Sequence, residues 1–144
     1  MNKWVLVADS SRARVFQMPQ PRGDLEELTT MVNPAARLKE HDLVSDSPGA
    51  HGDGAMAGRH RMPQKNTARS IANREFAREI AQWLRQAHNE NRFDALVIVA
   101  APHFLGELRP ELDEQVRQMV TEEMSLDITR ASPSEIAATL ARHQ

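Results

Sequence analysis

The chain has 144 residues, a formal net charge of -2, 40% apolar and 26% charged residues, and no cysteine. That length fits one domain, residues 1–144, large enough to bury roughly 70% of its unfolded surface. The missing cysteines exclude disulfides, thiolate zinc sites and a thiol nucleophile, and with aromatics at 4% the core must be aliphatic and methionine-rich.

Residues 3–8 (KWVLVA) and 13–18 (ARVFQM) are short apolar, valine-bearing runs separated by Asp9, Ser10, Ser11 and Arg12, which predicts a hairpin. A third strand is expected within residues 25–32, after the turn formed by residues 19–23. Residues 45–64 (SDSPGAHGDGAMAGRHRMPQ) are rich in glycine and read as a loop. A helix over residues 67–91 follows, in which Ala72, Phe76, Ile80, Trp83, Leu84 and Ala87 recur at the spacing of one apolar face. Residues 93–101 (FDALVIVAA) have the near-continuous apolar character of a central strand covered on both faces. A helix over residues 105–120 with a restart at Pro110, a short strand at 126–129, and a last helix opened by Ser132-Pro133-Ser134-Glu135 complete the order βββαβαβα. A meander followed by alternating strands and helices implies an α/β fold with a mixed five-stranded sheet and helices on its faces.

The N-terminal segment turns polar at Asp9, too soon for the core of a signal peptide, and no apolar run approaches the roughly 18 residues that span a bilayer. We expect a soluble, cytoplasmic protein with no membrane partner.

Charge is unevenly distributed. Residues 59–92 hold seven arginines and one lysine against three glutamates, a net +5, so the remainder of the chain carries -7. Arg59, His60, Arg61, Lys65 and Arg69 lead into Arg74, Arg78 and Arg85, which fall within an arc of roughly 40° opposite the apolar face. Such a track suits a phosphate backbone, whereas pairing of Arg78 with Glu75 and Glu79 would make it an ordinary solvated face. No aromatics accompany the cations from Arg59 to Arg69, so reading of single-stranded bases is not implied.

Other chemistry finds little support. Gly49, Gly52, Gly54 and Gly58 make neither GxxxxGK[ST] nor GxGxxG, so no nucleotide cofactor is expected. His41, His51, Asp53 and His60 match no metal-ligand spacing, and no metal is expected. There is no G-x-S-x-G elbow. Asp9, at the end of the first strand, is read as a turn residue bonding its own backbone, because a two-metal nuclease needs several clustered carboxylates, and Ala101, Pro102 and His103 follow the central strand.

The segment His51-Gly52-Asp53-Gly54, followed by the cations 59–69 and the Arg-rich helix, resembles the middle domain of archaeal and eukaryotic class I release factors, in which a His-Gly-x-Gly-Gly-Gln loop precedes such a helix. With the hairpin VLVADSSRARVFQM and the strand LVIVAAP, it resembles the bacterial host-attachment protein family, grouped with release-factor-like proteins. The resemblance implies a ribonuclease H-like three-layer sandwich and a role for the loop residues His51, Gly52, Asp53, Gly54 and Gly58. Ala55 and Met56 stand where the second glycine and the glutamine of the releasing motif belong, and Gln64, which follows Pro63, lacks flanking glycines. The peptide-releasing group is therefore missing, and a non-catalytic or weakly catalytic domain is expected. The expected partner is the ribosome or tRNA, bound through Arg59, His60, Arg61, Lys65, Arg69, Arg74 and Arg78. An attachment-related interaction module and a peptidyl-tRNA hydrolase are the alternatives.

Overall fold

A computed structural model describes residues 2–18, 24–35 and 54–143, with residues 54–67 described as backbone alone. Strands β1 (Lys3–Ala8) and β2 (Arg12–Met18) form the expected antiparallel hairpin. Its turn is held by Asp9, whose Oδ1 accepts the backbone N–H of Ser11 at 2.8 Å and of Arg12 at 2.9 Å, the Asx geometry that lets a short polar side chain stand in for backbone. Strand β3 (Glu26–Val32) pairs antiparallel to β2 with an irregularity between Val15 and Phe16. Helix α1 (Gly54–Asn89) returns the chain to β4 (Ala95–Ala100), which runs parallel to β1. Helix α2 (Pro102–Leu108), a 3-10 turn (Arg109–Glu111) and helix α3 (Glu114–Met119) lead to β5 (Val120–Ser125), parallel to β4, and helix α4 (Pro133–His143) ends the fold.

The strand order β3-β2-β1-β4-β5, three antiparallel strands extended by two parallel ones, is the ribonuclease H-like arrangement. Alternation along β1 and β4 divides the core in two. Trp4, Leu6, Leu96 and Ile98 join Phe76, Ile80, Leu84, Phe104 and Leu108 under α1, α2 and α3. Val5, Val7, Val97 and Val99 join Ile136 and Leu140 under α4. Full burial of β4 on both faces explains its unbroken apolar sequence. Among the described residues no helix is long and apolar enough to cross a membrane.

Three expectations need correction. The strand placed at 126–129 is instead β5 at Val120–Ser125. Val116, Met119 and Val120 have helical spacing, but an edge strand pairs on one side only and tolerates charge, so Val120-Thr121-Glu122-Glu123 carries no apolar strand signal. The helix expected over 105–120 begins earlier, with Pro102 in its first turn, and is broken into α2, the 3-10 turn and α3. The loop expected over 45–64 is helical from Gly54 onward. Ala55, Met56, Ala57, Arg59, Arg61, Met62 and Lys65 are strong helix formers, and they outweigh Gly54, Gly58 and the lost N–H of Pro63. Residues 45–53 lie outside the described residues.

The ends of the helices are sequence-coded. Asn91 takes the left-handed φ of 58°, with the N–H of Asn91 donating to His88 O at 2.9 Å and that of Arg92 to Ala87 O at 3.0 Å, the pair of bonds that closes a helix C-terminus. Ser132 Oγ accepts the Glu135 N–H at 3.1 Å, and Glu135 Oε1 accepts the Ser132 N–H at 2.8 Å, a reciprocal capping box as expected.

Candidate nucleic-acid interface

Helix α1 buries Asn73, Phe76, Ala77, Ile80, Leu84 and Ala87 along one line. Half-buried Trp83 widens this face. Arg69 stands one turn before Asn73 on the same line, yet it is exposed. The helix has therefore passed the edge of the sheet by residue 69. A 36-residue helix is about 54 Å long and a six-residue strand about 20 Å, so α1 must overhang. The overhanging end is its N-terminal one. Asn89 leads into the start of β4, whereas Phe76 packs on Phe104 just after the end of β4, with ring centroids 5.8 Å apart. The cationic half of α1 thus leaves the sheet at the carboxyl ends of β1 and β4, the side on which open α/β sheets receive ligands.

Arg74, Arg78 and Arg85 are exposed on the face of α1 opposite the core, as their spacing predicts. Arg78 does not pair with Glu75 or Glu79. Its Nε reaches Glu111 Oε1 at 3.3 Å, tying α1 to the 3-10 turn. Neither Arg74 nor Arg85 is in an ion pair among the described residues. Arg92 does not join the row, because its guanidinium lies over the rings of Trp4 and Trp83, at 5.2 and 5.7 Å. The side chains of Arg59, His60, Arg61 and Lys65 lie outside the described residues, as do His51, Gly52 and Asp53. Gly54 and Gly58 belong to α1.

Asp9 is structural. Both carboxylate oxygens are engaged, Oδ1 by the turn amides and Oδ2 by the Thr129 hydroxyl, which donates at 2.7 Å. Among the described residues no group of three or more His, Asp or Glu is placed to hold a metal ion. Sequence reasoning missed the neighbours that complete this rim. Arg14 Nη1 donates to Thr129 O at 2.9 Å and Ala131 O at 2.6 Å while its Nη2 pairs with Glu27 at 3.0 Å. Asn33 Nδ2 donates to Ser10 O at 2.8 Å. All are long-range contacts with no local sequence signature.

A family model described as protein required for attachment to host cells matches residues 4–140. The chain belongs to this family. No curated protein matches the chain. Among solved structures, this host-attachment family protein is similar to the Aquifex aeolicus Ppx/GppA phosphatase, at 13% identity and a TM-score of 0.43 over 86% of its own length. It spans 35% of that phosphatase chain. A likeness at that level carries nothing about chemistry.

Proposed function

We propose that this host-attachment family protein is a non-catalytic RNA-docking domain that acts in the cytoplasm and lays α1 against ribosomal RNA or tRNA. The observation that carries the reading is the exposed row Arg74, Arg78 and Arg85 on a helix that overhangs the sheet. Phosphates attract such a row independently of sequence, through release of counterions. The local net charge of +5 in a chain of net -2 concentrates the field on this helix. The likeness of the 51–54 segment and the helix that follows it to release-factor middle domains supports the same partner. The test is co-sedimentation with ribosomes and filter binding of tRNA across a salt series. Binding at low ionic strength that fades with salt, and weakens when Arg59, Arg61 and Arg74 are made Ala, is expected. Absence of binding at low salt, or binding indifferent to those substitutions, refutes it.

The family description favours a second reading, an interaction module whose cations meet an acidic protein or polysaccharide. Surface exposure of the native protein in cell fractionation would favour it over a cytoplasmic RNA partner. Peptidyl-tRNA hydrolysis is opposed by Met56 at the glutamine position. Turnover of a model peptidyl-tRNA that is lost in Gln64→Ala would revive it.

A further inference from the structure

At the free edge of the sheet, beside the 3-10 turn to which Arg78 is tied, β5 borders an open cavity of about 440 Å³. That volume falls in the range of small-molecule pockets. Its floor is apolar, made by Leu112, 6% exposed, and half-buried Val120, both packed on the core beneath α1. Its walls carry two guanidiniums, those of Arg109 and Arg117.

The strand is shaped for this. Leu96 pairs with Val120 but Val97 pairs with Glu122, so Thr121 is an extra residue in β5. In a regular strand Val120 and Met124 would share a face. Here Val120 packs with the core under α1 and Met124 with the core under α4. The bulge reverses the alternation, a device that re-aims side chains beside binding sites. Glu123, beyond the bulge, meets Arg109, accepting from Nη2 at 2.7 Å and Nε at 2.9 Å.

Donors remain unspent. Arg117 Nη2 donates to Arg109 O at 2.7 Å, leaving four of its five N–H groups free of any bond to a described residue. Both N–H bonds from Arg109 go to one oxygen of Glu123, leaving three more. Glu122 also lines the cavity, and after the bulge it has the same parity as Met124. Two carboxylates balance two guanidiniums in the lining, so what favours an anion is the unspent donors of Arg117 beside an apolar floor.

We propose that this cavity binds a small organic carboxylate, its head forked by Arg117 beside Arg109 and its apolar tail on Leu112 and Val120. Planar two-point donation suits a carboxylate, and the floor supplies what inorganic anions cannot use.

Titration of the full-length chain with hexanoate, followed by amide NMR, tests this. Saturable shifts confined to residues 109–123 are expected, with affinity falling roughly tenfold in Arg117→Gln and unchanged in Arg74→Ala. Hexanol and hexylamine should bind at least roughly tenfold more weakly, having no carboxylate to meet the fork. Shifts elsewhere in wild type, equal binding of hexanol, or inorganic phosphate binding at the same residues more tightly than hexanoate would each overturn it. The wild-type shift map and the hexanol comparison stay decisive even if Arg117→Gln folds poorly.

Discussion

Thr129 donates its hydroxyl hydrogen to Asp9 Oδ2 at 2.7 Å across 120 positions of sequence, joining the β1–β2 turn to the connection between β5 and α4. Thr129 is 2% exposed, so its hydroxyl has no water to fall back on. The carboxylate of Asp9 ties these two segments together, with both of its oxygens engaged.

It follows that Asp9→Ala should act on stability and leave ribosome binding intact. Loss of three accepted hydrogen bonds around a part-buried carboxylate should cost on the order of 2 kcal/mol, lowering the thermal midpoint by roughly 4–8 °C. Thr129→Val should reproduce part of this. Calorimetry beside ribosome co-sedimentation checks the pair; a variant that folds normally but no longer binds would contradict it.

Acid should loosen the β2–β3 edge. The hydrogen-bonded Arg14 guanidinium holds the Glu27 carboxyl below its ordinary 4.5, helped by the Thr30 hydroxyl. A carboxylate whose folded value is depressed contributes stability that is complete above its unfolded value and is lost as pH falls through the folded one. Urea midpoints followed from about pH 7 to about pH 3 should therefore decline below roughly pH 4.5. Glu27→Gln should be less stable at neutral pH and show a shallower acid decline; an identical slope in both proteins would exclude this pair as a source.

Asn91 occupies a left-handed position at the end of α1, with φ at 58°. Glycine adopts that conformation freely and a β-branched residue does not. Asn91→Gly should be neutral or slightly stabilising, while Asn91→Val should cost about 1–2 kcal/mol. Denaturant midpoints of the two variants should fall on opposite sides of, or level with and below, the wild type.

The indole N–H of Trp4 is buried without a hydrogen-bond partner among the described residues, although its ring stacks on Phe93 at 4.9 Å and Trp83 at 5.6 Å. Trp4→Phe removes the orphaned donor and keeps an aromatic, so it should be far milder than Trp4→Ala, for which about 3–5 kcal/mol is expected. Equal losses in chemical denaturation would mean that ring size alone governs the site.

The sequence by itself determined those parts of the molecule that obey local rules. The hairpin around Asp9, the doubly buried β4, the buried face Phe76-Ile80-Leu84-Ala87, the outward row Arg74-Arg78-Arg85 and the Ser132 capping box all depend on spacing or on neighbours within a few residues. The periodicity of an element follows from its own backbone geometry. Tertiary structure alone decided the rest. Val120 continues the helical stripe of Val116 until pairing with Leu96 draws it into β5. Arg78 had nearer glutamates in sequence than Glu111, but α1 lies against the 3-10 turn in space. The bonds from Arg14 to Thr129 and Ala131 and the cavity beside Thr121 exist only because strands distant in sequence are adjacent in the sheet. Such contacts depend on which surfaces meet when the sheet closes, and no short window of sequence carries that information.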